Sequence, residues 1–201
     1  TRFKCDWSSD VCSSDLRHDC VTGSKGVGPN AFVRVNIRNA HGDTGPHQRW
    51  NVGTLYDNIN SDGPINIQDR SNWGTGHGWA GANQVLWNCT AKEVCVQNPW
   101  VSAKNYSIGT KGTKHAGDFK NPVRPDGVWV RANATVSPAS LFEAQLELRK
   151  RTEDFIIKEV AQKKLTHYLS ITYNNPLIST LSYQLKGRNK GIFFRGVSTC
   201  E

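Results

Sequence analysis

Between residues 17 and about 133 the apolar positions come in short β-branched or aromatic runs separated by polar turn residues, a strand-and-loop pattern without a helical period. Two of these runs are each followed by a second, similar run. Leu55-Tyr56-Asp57-Asn58-Ile59 leads through a polar turn to Ile65-Asn66-Ile67-Gln68-Asp69, and Val85-Leu86-Trp87-Asn88-Cys89 leads likewise to Val94-Cys95-Val96-Gln97-Asn98. Val33-Arg34-Val35-Asn36-Ile37 reads as an earlier, weaker copy, which puts Asn36, Asn58 and Asn88 at one point of three repeats, 22 and 30 residues apart. Repeats of that size, each holding two or three short strands, suit a solenoid whose coils stack strand upon strand. Asn at equivalent turns can hydrogen-bond along the stack, so its recurrence has a structural reading. An immunoglobulin-like sandwich is the rival, but it needs hairpins, and the long His/Trp-rich connections here are poor ones.

The pattern changes after Val136. Ser137-Pro138 predicts a helix start, a capping residue followed by Pro at the first helical position. Leu141, Leu148 and Phe155 recur every seven residues, with Phe142, Leu146, Ile156 and Val160 on the same side. The expectation is one or two helices from Ala139 to about Leu165, a segment (137–166) that packs on or caps the coils and covers an open strand edge. In the tail, 167–201, Ile171-Thr172-Tyr173, Leu181–Leu185 and Ile192–Phe194 read as short strands with no repeat.

Residues 6–16 read DWSSDVCSSDL and resemble the translation of a sequencing adapter. Residues 1–16 are therefore expected to lie outside the fold, leaving 17–136 as the coils. With Thr first and no Met, the chain is read as a fragment of a longer protein. The net charge is +8, and from Leu146 onward ten Lys/Arg face five Asp/Glu. A basic surface attracts anionic partners. No nucleic-acid-binding spacing accompanies it, and no apolar run reaches a bilayer-spanning length, so nucleic acid and a membrane span are not expected. None of the six Cys pairs at CxxC spacing, which argues against a structural zinc site. Cys89 and Cys95 read either as a disulfide across a short turn or as two buried thiols in strands.

Two long connections leave the repeat at comparable places, Asn39 to Trp50 and Asp69 to Asn83. If the coils stack, both emerge on one flank and gather His41, His47, His77, Asp43, Asp69, Arg49, Arg70, Trp50, Trp73 and Trp79. Sugar sites combine such flat aromatic faces with charged and polar groups. The stretches GPHQRWNVGTLYDN, INIQDRSNWGTGHGWAGANQVLWNC and VQNPWVSAKNYSIG resemble bacterial pectate-lyase-like right-handed β-helix proteins, over about residues 17–148. The resemblance implies an all-β, right-handed parallel β-helix with a C-terminal helical segment, a secreted or cell-surface location, and a polysaccharide partner. It does not itself fix an activity.

The expected activity is a polysaccharide lyase acting on an acidic, uronate-containing glycan. A lyase removes the proton beside the uronate carboxylate after that carboxylate has been neutralised. His47 or His77 would be the base and Arg49 the neutraliser. Trp50, Trp73, Trp79, Arg70 and His41 would contact the glycan, with Asp43 and Asp69 as Ca²⁺ ligands. A glycoside hydrolase on the same scaffold would need two facing carboxyl groups, from Asp43, Asp57 and Asp69. A non-catalytic glycan-binding or structural β-helix would show Trp and Asn on the flank without a converging base and cation.

Overall fold

The computed structural model describes residues 12–13, 17–100 and 102–173. The chain divides into two compact units, Thr1–Glu147 and Leu148–Glu201. In the first unit the described residues wind through five coils. Coil one holds β1 (Cys12–Ser13), β2 (Val21–Thr22) and β3 (Val27–Val33), and coil two holds β4 (Asn36–Arg38), β5 (Gly45–Pro46) and β6 (Asn51–Asp57). Coil three runs through β7 (Asn60–Ser61), β8 (Ile65–Ile67), a single helical turn α1 (Trp73–Gly76), β9 (Gly81–Ala82) and β10 (Val85–Trp87). Coils four and five contribute β11 (Thr90–Val96) with β12 (Tyr106–Ile108), and β13 (Lys111–Lys114) with β14 (Val128–Val130).

Every pairing between these strands is parallel and joins one coil to another. One sheet stacks β1-β4-β7-β11-β13 with β8 beside β11, a second stacks β3-β6-β10-β12-β14 with β9 beside β6, and β2-β5 form a third. The protein is a parallel β-helix. The backbone of Cys12–Ser13, inside the stretch set aside as adapter-like, pairs with Ile37 and Arg38.

Stacking puts like residues in columns. Phe32, Tyr56, Leu86, Ser107 and Trp129 share one register position of the second sheet, and the Phe32 and Tyr56 rings stack at 5.5 Å. Ile65 and Ile67 lie beside Val94 and Val96. Tyr56, Leu86 and these four aliphatic side chains form the buried core with Ile37, Ile59 and Cys89, and Phe32 and Trp129 pack against it. Cys89 and Cys95 are buried free thiols, and burial pushes each up to about 12.

The repeat pairs starting at Leu55 and Val85 fall in register, Leu55 beside Val85. The earlier copy is shifted by two residues, because Ala31 rather than Val33 pairs with Leu55. The residue equivalent to Asn58 and Asn88 is therefore Arg34, and the series continues through Gly109 and Arg131. All five have a positive φ, between 48° and 67°. Each coil turns there through a left-handed residue, which Asn and Gly accept at least cost. Asn36 stacks instead on Asn60, whose Nδ2 donates to Asn36 Oδ1 at 3.2 Å.

After coil five the chain returns across this turn column. Val136 N–H donates to Asn88 Oδ1 (2.8 Å), Trp87 Nε1 donates to Pro138 O (2.9 Å), and Asn58 Nδ2 donates to Ala139 O (2.8 Å). Helix α2 (Leu141–Tyr173) follows. Its cap is Ser140, not Ser137: Glu143 N–H donates to Ser140 Oγ at 3.2 Å. The buried Asp57 carboxylate accepts from Ser140 Oγ (2.8 Å) and Phe142 N–H (2.7 Å). A carboxylate at the first helical turn satisfies donors that the helix leaves open. The helix also takes in Ile171–Tyr173, which the sequence pattern assigned to a strand. No Gly or Pro interrupts the chain before Asn174-Asn175-Pro176. In the second unit Leu148, Phe155 and Val160 are exposed. The strands expected at Leu181–Leu185 and Ile192–Phe194 lie outside the described residues.

Candidate functional site

The third sheet runs through the first long connection. β2 and β5 pair through Val21–Gly45 and Thr22–Pro46, and His47 N–H donates to Thr22 O at 3.1 Å. One coil further on, Thr44 bridges to Ile65. These backbone bonds fix Asp43 and His47 on either side of a strand. The next connection closes on itself. Arg70 N–H donates to Gly78 O (2.8 Å), Gly78 N–H to Ser71 O (2.8 Å), and His77 N–H to Trp73 O (3.0 Å). Gly74 sits inside this loop at φ 56°, and a Cβ there would lie 2.5 Å from His77 Nε2.

A cavity of about 650 Å³ opens between the two connections, and its lining includes Arg17, His18, His41, Asp43, His47, Asn66, Arg70, Trp73 and His77. At its base Arg70 and Asp43 form a buried ion pair through Arg70 Nη2 and Asp43 Oδ2. Asn66 Nδ2 donates to the same oxygen at 3.2 Å, and Asn66 is engaged in turn by His115 Nε2 at 3.0 Å. The other oxygen, Asp43 Oδ1, lies 2.8 Å from His18 Nδ1.

Three imidazoles follow in line. The His18 and His47 rings are 4.3 Å apart and the His47 and His77 rings 5.1 Å. Burial, reinforced by the Arg70 charge, holds His47 down to about 4. Burial and the charges of Arg70 and Arg49 also lower His77. Nδ1 of His47 and Nδ1 of His77 are buried with no hydrogen-bond partner.

The cavity thus unites six residues singled out from the sequence: His41, Asp43, His47, Arg70, Trp73 and His77. The other four lie elsewhere. Arg49 clasps the outside of the second connection, donating to Gly76 O (2.9 Å) and Thr75 Oγ1 (3.0 Å). Trp50 is exposed away from the lining. Trp79 packs edge-on against Trp100, 5.2 Å between rings. Asp69 is buried in a two-pronged pair with Arg124, at 2.9 and 2.7 Å, and Arg124 also lies over Trp100 and Phe119. Asp43 and Asp69 are therefore neutralised by different arginines and do not converge. The oxygen-rich shell that Ca²⁺ requires does not gather from this pair.

The donors that do converge are His18, Asp43 and His47, with one ligand atom from each lying within 4.8 Å of the others. Sequence reasoning missed His18, Asn66, His115 and Arg124. Nothing in the linear pattern marks them, because they reach the flank from three separate coils, His115 and Arg124 from the fifth. No helix among the described residues is long and apolar enough to cross a membrane. Compared with family models, curated proteins and solved structures, the chain matches none.

Proposed function

We propose that this β-helix is a carbohydrate-active protein of the pectate-lyase-like kind, secreted or displayed at the cell surface, that cleaves an acidic, uronate-containing polysaccharide by β-elimination. The observation that carries the reading is the convergence of His47, His77 and Arg70 on one cavity with Trp73 at its wall. Base, cation and sugar platform are the three parts the reaction needs. Trp73 is 39% exposed, with the Arg70 guanidinium over its ring and Phe119 beside it.

In the proposed reaction one imidazole, of His47 or His77, takes the proton from the carbon beside the uronate carboxylate. The electron pair left behind forms the new carbon–carbon double bond, and the 4-linked oxygen departs with its bond pair and is protonated from solvent. The positive end of the cavity stabilises the carboxylate as charge moves onto it. In this reading Arg70 takes the neutralising role expected of Arg49, whose guanidinium is held by Thr75 and Gly76.

A hydrolase has less support. It needs a pair of carboxyl groups across the cleft, but Asp43 is the one carboxylate in the cavity lining among the described residues. Asp57 is committed to the start of α2 and Asp69 to Arg124. The test is ultraviolet absorbance from an unsaturated uronate product, measured over a panel of acidic polysaccharides.

A further inference from the structure

We propose that His18, Asp43 and His47 form a binding site for one divalent transition-metal ion, of the zinc or cobalt kind, at the base of the cavity. Two imidazoles and one carboxylate suit such borderline ions, whereas Ca²⁺ and Mg²⁺ prefer all-oxygen shells. The spacing fits. Metal bonds of about 2.0–2.1 Å place neighbouring ligand atoms roughly 2.9–3.3 Å apart. His18 Nδ1 and Asp43 Oδ1 are 2.8 Å apart, and the full set lies within 4.8 Å.

The surroundings hold the ligands in place. Asp43 has one oxygen tied to Arg70 and Asn66, which leaves Oδ1 turned towards His18. Such outer partners orient a carboxylate ligand. Gly42 backs directly onto the His18 ring, where a Cβ would lie 2.7 Å from Nδ1. His47 carries a buried ring nitrogen without a partner, the kind of atom that natural structures rarely leave unsatisfied. Three protein ligands also leave a position open towards the cavity, as a catalytic rather than a structural site does.

The ion would change what the cavity attracts. Asp43 offsets part of the Arg70 charge, so a bound divalent ion would add to the positive charge that a uronate carboxylate seeks. That consequence rests on the lyase reading, whereas metal binding does not and is measured without glycan.

The chain, stripped of metal by a chelator, is titrated with Co²⁺ while its visible absorption is followed, and with Zn²⁺ in a calorimeter. One ion per chain is expected, with a rise in unfolding temperature. His18→Ala and His47→Ala each weaken binding by more than about tenfold, and Asn66→Ala weakens it by roughly tenfold. His18 is partly exposed, so its variant keeps the fold, as circular dichroism would verify, and decides the matter if His47→Ala does not fold. Absence of one-to-one binding, unchanged affinity in the folded His variants, or a near-ultraviolet thiolate band would overturn the site and leave His18–Asp43 as an ion pair alone.

Discussion

Arg70 and Asp43 meet in a buried ion pair, tying the connection of one coil to that of the coil before it. A buried charge is costly when its partner is removed. Arg70→Met should therefore lower stability by about 3 kcal/mol, read as a shift of the urea midpoint. Adding Asp43→Asn to the same chain should restore much of the loss, since no buried carboxylate then remains unpaired. A loss well below 1 kcal/mol in the single variant would mean that water reaches the pair.

Asn88 combines two roles, a left-handed turn at φ 50° and bonds to the returning segment at Val136. Glycine keeps the first role and loses the second, while alanine loses both. Asn88→Ala should be less stable than Asn88→Gly by about 1–2 kcal/mol, the cost of a left-handed Cβ. Equal stabilities in thermal unfolding would show that the turn relaxes out of the left-handed region.

Alkaline pH should weaken the core before it touches the loops. Burial raises the Cys89 thiol from 9.0 to about 12, so the folded state holds its proton more tightly than the unfolded chain. The resulting stability is fully present below pH 9 and is lost as pH rises towards 12, at about 1.4 kcal/mol per pH unit for one group. Cys95 titrates in the same window. Denaturation midpoints should hold level from pH 8 to 9 and fall steadily between pH 9 and 11, and Cys89→Ala should roughly halve the slope that the two thiols produce. A flat profile across that window would contradict the burial of the two thiols.

Much of this fold was legible in the sequence, but not all of its register. The matched pairs Ile65–Ile67 with Val94–Val96 and Leu55 with Val85 carry their alignment in plain repeated residues, and the strands pair as those repeats predict. The first copy was misaligned because Arg34 fills the left-handed turn position, and Arg gives no turn signal where Asn would. The helix start was placed at Ser137-Pro138 because that dipeptide matches a cap locally. The true cap, Ser140, is selected by a long-range partner, Asp57, which local propensity cannot see. The flank was anticipated as a cluster of His, Trp and Arg, yet which of them face inward depends on loop closure. Arg49 and Arg70 look equivalent in composition, but one bonds backbone outside the loop and the other lies beneath it.

Gly74 tests whether His77 must be held where it is. A Cβ there meets His77 Nε2 at 2.5 Å and strains a backbone at φ 56°. Gly74→Ala should displace the imidazole by a fraction of an ångström to an ångström. Such a shift can lower turnover on the order of a hundredfold. The left-handed Cβ should also cost about 1–2 kcal/mol of stability, so turnover is compared well below the unfolding temperature, with the fold verified by circular dichroism. Full activity in Gly74→Ala would remove His77 from the reaction.

The central claim is that the cavity performs β-elimination on an acidic glycan. The most direct measurement incubates the protein with a panel of uronate-containing polysaccharides, with chelator or with added divalent ions, and follows the ultraviolet absorbance of the unsaturated product. His47→Ala and His77→Ala are run beside it. The account predicts a rise with at least one substrate that one of the two substitutions abolishes. Loss in His77→Ala names His77 as the base, and loss in His47→Ala names His47 where chelator leaves the parent chain active, since His47 is also a proposed metal ligand. New reducing ends without that absorbance, or glycan bound with neither signal, would contradict it and leave a hydrolase or a binding module in its place.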